Sequence, residues 1–242
     1  MSNATSSTAQ LLYLLHQDPA ELMEELSHLR AEDIAEGLRD LPTEAAAKVM
    51  AAMPFDRAVE VFDEPELASK RCGMLLTMKD ADAAKLIDAM SSDQQADLFR
   101  EIPERDRSRL LKLLPDPTRQ SLTHLLKYPP DTAGGIMTTE FMSVSSEWNV
   151  EQALQFVSEV ARAKETVYVI YVIDPSTNAL VRVVSLRELL VSPRDARVVE
   201  IGRARSPITV RTDTDREDVT KIISKYNLLA VPVVDDASHV LG

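Results

Sequence analysis

Carboxylates are the residues of this chain whose spacing suits them to chemistry. Asp93 and Asp97 stand four apart, which places both on one face of a helix, and an internal repeat puts Glu32 and Glu36 at the equivalent positions. Like charges at that spacing cost an isolated helix about 0.2–0.5 kcal/mol, so a further interaction is expected to offset them. A local account is available. Ser92 as an N-cap makes Asp93 a favourable first-turn charge, and Asp97 is in reach of Arg100. A second cluster lies in VRTDTDREDV, residues 210–219. Thr214 and Glu217 have capping-box spacing there, and Asp215 and Asp218 fall where the helix dipole favours anions.

Other chemistry has little to stand on. His16, His28, His124 and His239 are scattered, and no H-x-x-x-H, C-x-x-C, G-x-x-x-x-G-K or G-x-G-x-x-G pattern occurs. The chain is therefore not expected to be an enzyme. Cys72 is the single cysteine, so no internal disulfide forms; beside Gly73 in an apolar stretch it reads as a small core residue. A cytosolic setting fits that usage.

Two kinds of element must position the carboxylates. The first half has the 3.6-residue pattern of short amphipathic helices, punctuated at Leu41-Pro42, Met53-Pro54, Ile102-Pro103 and Leu114-Pro115. The pattern recurs at an offset of 61 residues, pairing Leu29 with Met90, Ala35 with Ala96, Leu38 with Phe99, Arg39 with Arg100 and Val49 with Leu110. Such self-similarity predicts stacked helix pairs, each burying its apolar face on the next. The second half changes period. VYVIYVI, residues 167–173, is expected to be a buried central strand, preceded by a helix over 150–160 and followed by a strand over 180–184 and a helix capped by Ser185. The order βαββα then restarts, with strands predicted at 208–210 and 229–234 around a helix at 216–226 that turns Val219, Ile222 and Ile223 inward.

Of 242 residues, 45% are hydrophobic and 27% charged, and no apolar run approaches a membrane span. The formal net charge is −12, with −8 in residues 1–127 and −4 in residues 128–242. That surface repels phosphate backbones and anionic headgroups, which argues against nucleic acid and general membrane adhesion and favours cations.

The halves meet in YPPDTAGGIMTTEFM, residues 128–142, where Pro129 and Pro130 cannot continue a helix and Gly134-Gly135 is expected to free the backbone to turn. The pattern Y-P-x-D-T-A-G-G-x-M-T resembles the segment joining the helical N domain to paired CBS domains in magnesium transporters of the MgtE type. The doubled βαββα order from Met137 onward resembles a tandem CBS pair. The resemblance implies an α + α/β fold: a right- or left-handed α-superhelical domain followed by a tandem CBS pair with its second copy truncated. It divides the chain into a helical domain over 1–127 (1–9 expected to be disordered or a scar), a junction over 128–136 and CBS copies over 137–201 and 202–242. It implies a cytosolic region at the cytoplasmic side of the cell membrane, lacking the transmembrane domain that carries the ion pathway. It also implies that Asp93, Asp97 and Glu60 on the helical side, with Asp215 and Glu217 on the CBS side, hold Mg2+ between domains and favour a compact state that closes the pore. A homodimer through the CBS domains is the expected assembly. Asn227 departs from a family that often has an acid there, and an amide weakens any metal site that uses it.

CBS pairs also commonly bind adenosine nucleotides, which gives an alternative: a nucleotide-sensing or plain interaction module whose acidic faces are only solvated. The ribose-holding motif of the family has Thr or Ser followed three residues later by Asp. This chain has Ser185, Arg187 and Glu188, with the longer acid, and Arg187 is placed to meet a phosphate. Leu228 and Val169 stand where the family can have aromatic residues.

Overall fold

The computed structural model describes residue 24 and residues 26–160, 167–202 and 206–242; residues 1–9, expected to be disordered or a scar, lie outside them. The chain divides into two compact units, residues 1–90 with 97–120, and residues 91–96 with 121–242.

The first unit is built from helices of about three turns: α1 (Ala31–Asp40), α2 (Thr43–Ala52), α3 (Phe55–Asp63), a 3-10 turn (Pro65–Leu67), α4 (Ala68–Thr77), α5 (Asp80–Ala89), α6 (Ser92–Glu101), α7 (Glu104–Leu113) and α8 (Asp116–Leu125), of which α6 and α8 run on into the second unit. The expected 61-residue offset carries α1 onto α6 and α2 onto α7 residue for residue. The Leu-Pro and Met-Pro steps explain the spacing. A proline ring drives the residue before it out of helical geometry. Leu41, Met53 and Leu114 accordingly have ψ of 156°, 152° and 148°. Each of them is also buried, so the break in the helix inserts an apolar plug into the core. Repeat partners share that fate: Ala35 and Ala96, Leu38 and Phe99, and Val49 and Leu110 are all at most 1% exposed. Helices pack on the next but one, α1 on α3, α2 on α4, α3 on α5 and α5 on α7.

Helix ends in this unit are closed by cations reaching from neighbouring helices. Arg71 of α4 donates to the carbonyls of Phe62 (2.7 Å), Asp63 (2.5 Å) and Glu64 (3.1 Å) at the end of α3. Lys70 donates to Leu41 and Leu38 at the end of α1, Arg57 to Leu29, and Arg107 of α7 to Ile102 (3.1 Å). Unsatisfied carbonyls and the negative pole of the helix dipole favour a cation at each of these points.

The second unit holds a short helix, α9 (Ala133–Ile136), then β1 (Met142–Ser145), α10 (Val150–Val160), β2 (Val169–Ile173), β3 (Leu180–Ser185), α11 (Leu186–Val191), a 3-10 turn (Val198–Glu200), β4 (Val210–Arg211), α12 (Arg216–Tyr226) and β5 (Val233–Val234). β1 pairs parallel to β2 and β2 antiparallel to β3, over a core of Val144, Val150, Ala153, Ile170, Val172 and Leu189. The second module repeats the opening of that topology: β4 is parallel to β5, and Val234 bridges antiparallel to Val240.

Three sequence expectations are corrected here. The strand expected over 229–234 is only Val233–Val234, and Leu229 is 78% exposed. Pro232 has no N–H to give a ladder and contributes only its carbonyl, to Val210 (3.0 Å). The strand expected over 208–210 is likewise confined to Val210–Arg211. Gly134 and Gly135 are helical and do not supply positive φ; they supply room. A Cβ on Gly135 would lie 1.9 Å from the Pro129 carbonyl oxygen, and one on Gly134 2.7 Å from the Tyr128 ring.

Candidate functional site

The acidic loop of the second module is held by the junction. Ala133 donates its N–H to the Thr214 carbonyl (2.7 Å), Gly134 to Thr212 (2.9 Å), and Arg216 to Asp131 (2.9 Å), while Thr132 and Asp215 form an antiparallel bridge. These bonds place the start of α12 against α9. Asp215 is the N-cap, its Oδ1 accepting from the Glu217 N–H at 2.7 Å. The expected Thr214–Glu217 capping box is not formed, because Thr214 Oγ1 accepts from the Arg211 N–H (3.0 Å) and its carbonyl is occupied by Ala133. Asp215 keeps its other carboxylate oxygen, and Glu217 is exposed on the first turn of α12. Asp218 pairs with Lys221 at 2.7 Å.

Ser92 does not serve the role the sequence suggested. It is 3% exposed, and its Oγ lies 3.1 Å from Thr138 Oγ1 and accepts from the Thr139 N–H at 2.8 Å. Ser121 makes a matching contact with Thr139 Oγ1 at 2.7 Å. Two serines from α6 and α8 thus anchor the segment leading into β1. Nothing in local sequence signals this, since the partners are 46 and 18 residues apart.

Asp93 sits in the first turn of α6, half-buried. Asp97 pairs with Arg100 at 2.7 Å, the local partner expected from sequence, and the repeat carries the same geometry at Glu36 and Arg39 (3.6 Å). Glu60 pairs with Arg57 at 2.5 Å. Both pairs are exposed on the carboxylate side, at 70% and 60%, where an ion pair contributes about 0–1 kcal/mol and yields readily to a competing cation. Among the described residues no three His, Cys, Asp or Glu side chains gather into one metal-holding group. Exposed carboxylates such as Asp97, Glu60 and Glu217 are oxygen donors of the kind that a hydrated Mg2+ takes one or two at a time. Asn227 is the C-cap of α12 in the left-handed region (φ 50°), a conformation that asparagine adopts more readily than most residues other than glycine.

Of the residues expected at a nucleotide site, Ser185 and Glu188 are engaged at a helix end. Ser185 and Glu188 form a complete capping box at the start of α11, with Glu188 Oε2 accepting from the Ser185 N–H (2.7 Å) and Oγ (2.8 Å). The S-x-x-E spacing is therefore explained by the helix end. Arg187 is exposed. A cleft of about 520 Å3 lies elsewhere in this unit, lined by Leu180, Val181, Arg182, Ser206, Pro207 and Thr209. Burial pushes the Cys72 thiol above its ordinary pKa, as for an unreactive half-buried cysteine.

Stacked helix pairs followed by two β-α-β modules define a helical-repeat domain with a tandem CBS-type pair. Two family models match that division: the MgtE intracellular N domain over residues 29–131 and the CBS domain over residues 198–242. The chain belongs to the MgtE family, in the part made of the intracellular N domain and the CBS region. It is 37% identical over 155 residues to the magnesium transporter MgtE of Thermus thermophilus and 42% identical over 121 residues to that of Enterococcus faecalis, covering 63% and 50% of this chain. It spans only 34% and 26% of those relatives' lengths. Among solved structures it resembles the cytosolic domain of the Mg2+ channel MgtE in complex with ATP (TM-score 0.87, 30% identity, 97% of this chain and 95% of that one) and the soluble part of a magnesium transporter (TM-score 0.83, 29% identity, 99% and 93%). Among the described residues no helix is long and apolar enough to cross a membrane.

Proposed function

We propose that this chain is the Mg2+-sensing regulatory region of a magnesium transporter, acting on the cytoplasmic side of the membrane. The observation that carries the reading is the match along 97% of the chain to a protein described as the cytosolic domain of a Mg2+ channel. In this reading the helical domain is residues 1–127, the junction 128–136 and the CBS copies 137–201 and 202–242. Asp93, Asp97 and Glu60 of the first and Asp215 and Glu217 of the last bind Mg2+ and its waters. When the cation is scarce, acidic surfaces of a chain with net charge −12 repel one another. Bound Mg2+ neutralises them and shifts the chain toward a compact state by its differential affinity for that state. A transmembrane domain is the partner that reads the shift, closing its pore, and a homodimer through the CBS domains is the assembly. The junction supports this coupling: backbone hydrogen bonds from Ala133, Gly134 and Arg216 make the acidic loop and the connecting segment one piece, so a cation at Asp215 acts on the connection directly.

Small-angle scattering tests the reading. Millimolar MgCl2 is expected to lower the radius of gyration relative to NaCl of equal ionic strength, and Asp93→Asn with Asp97→Asn to blunt the change. An unchanged radius sinks interdomain sensing.

The ATP complex of the relative favours a second reading, in which the chain also binds an adenine nucleotide. The cleft beside Arg182, with Ser206 and Thr209, offers a cation and hydroxyls to phosphate and ribose, whereas Glu188 is committed to its cap. Calorimetric titration with ATP is expected to show binding that Arg182→Ala weakens and Arg187→Ala leaves alone.

A further inference from the structure

Two turns in the second unit are built alike. In the first module Asp174 Oδ1 accepts from the Ser176 N–H (2.8 Å), the Ser176 Oγ (2.5 Å) and the Thr177 N–H (3.1 Å), and Asn178 is left-handed (φ 57°). In the second, Asp235 Oδ1 accepts from the Ala237 N–H (2.9 Å) and the His239 N–H (2.8 Å), and Ser238 is left-handed (φ 65°). The turns meet: Ala179 and His239, the residues that follow the left-handed positions, form an antiparallel bridge, and the Leu180 N–H donates to the Ser238 carbonyl at 2.9 Å. One side of this near-symmetric contact carries a methyl group and the other an imidazole.

The imidazole uses both nitrogens. His239 Nδ1 lies 2.9 Å from Asp235 Oδ2 and Nε2 lies 2.9 Å from the Thr177 carbonyl oxygen. Both partners can only accept when the carboxylate is ionised, and Asp235 is held below the ordinary carboxylate range first by the backbone N–H of His239. A neutral imidazole has one N–H, so it can satisfy only one of them; the imidazolium satisfies both. When the proton is lost, the remaining N–H stays with the charged acceptor, because a charge-assisted bond is the stronger of the two. The Nε2 lone pair then faces the lone pairs of the Thr177 carbonyl, and the contact between modules is the one released. We propose that His239 is a proton-operated clasp between the two modules, closed as imidazolium on Thr177 and opened when it becomes neutral.

Other charged groups on the elements that meet here have partners away from His239. Asp174 is taken up by its own turn, Asp236 lies 2.5 Å from Arg211, and Arg182 on β3 donates to the Ile201 carbonyl (3.4 Å). The His239 side chain is 37% exposed, which gives solvent protons access. The inference is independent of the magnesium reading. It deals with protons as the ligand, and its test contains no divalent cation.

The experiment uses the full chain in a chelated buffer at about pH 5.5 and about pH 8, spanning the range in which histidine titrates. Nitrogen-15 spectra of the His239 ring are expected to show both nitrogens protonated at the lower pH and a single Nδ1–H tautomer at the higher. Amide exchange at Leu180, corrected for its intrinsic pH dependence, is expected to be about five-fold less protected at the higher pH, the loss of one net hydrogen bond. His239→Gln, which cannot titrate, should abolish that difference. A ring that is neutral at the lower pH overturns the clasp whatever the variant does, and so does an equal pH effect on Leu180 in H239Q.

Discussion

At the residue scale, the side chains that hold this protein together and those that give it its charge are largely different sets. The carboxylates that carry the functional reading sit on exposed faces in pairs that cost little to open, such as Asp97 with Arg100 and Glu60 with Arg57. The stabilising cations are half-buried and bond to main chain. Arg71 is the strongest instance: it donates to three consecutive carbonyls at the end of α3 and stacks over Phe62, and burial lowers its pKa from the ordinary value while leaving it charged. Arg71→Met keeps the stem and removes every donor. It is expected to cost about 1.5–3 kcal/mol, the range for hydrogen bonds to a charged group, read as a lower urea midpoint with an unchanged m-value. Arg105→Met is the control, since Arg105 is 85% exposed and pairs with its neighbour Asp106, and should move the midpoint little.

At the scale of elements, the junction is a packed piece and not a free link. Proline ends the helical run as the sequence indicates, but the glycines that follow form a helical turn, α9, capped by Thr132 Oγ1 accepting from the Gly135 N–H at 3.3 Å. Gly135 is irreplaceable on distance alone, because the atom it faces is backbone and cannot swing away. Gly135→Ala is expected to destabilise the second unit by roughly 3 kcal/mol or more, the scale of overpacking in a close contact, and to speed proteolysis of the junction. Gly73→Ala is a fair comparison. Its Cβ would stand 3.2 Å from the Thr43 methyl, a contact that small shifts relieve, so its midpoint should change by much less.

At the scale of the whole molecule, the question is whether Mg2+ acts by coordination or by screening. At about 0.15 M ionic strength the Debye length is roughly 8 Å, so matched NaCl relaxes diffuse repulsion as well as MgCl2 does. Coordination adds stability as RT ln(1 + [L]/Kd), about 1.4 kcal/mol at ten times Kd, and for a chain of this size that raises the melting temperature by about 3–6 °C. MgCl2 is expected to produce that rise beyond matched NaCl, and an Asp93→Asn, Asp215→Asn double variant to lose it. Since Asp215 also caps α12, the variant's melting point without Mg2+ must be the reference for its own shift. Equal shifts in the two salts would falsify the metal-sensor reading and leave an acidic interaction module.

The sequence by itself determined the periodic features, because these are written in neighbours a few residues apart. Leu41-Pro42 and its three counterparts set helix lengths, the 61-residue offset returned as matching helix bounds, and Ser185 as N-cap stated a helix start that the structure completes with Glu188 into a full capping box. Tertiary structure decided whatever depends on a partner far along the chain. Ser92 reads locally as a cap and is instead a buried anchor for Thr138 and Thr139; Leu229 reads as strand and is exposed; Gly134 and Gly135 read as a flexible turn and are close-packed against Tyr128 and Pro129. Hydroxyls, glycines and short apolar runs are the residues whose local preferences are weakest, so the long-range hydrogen bond or the available space outweighs them.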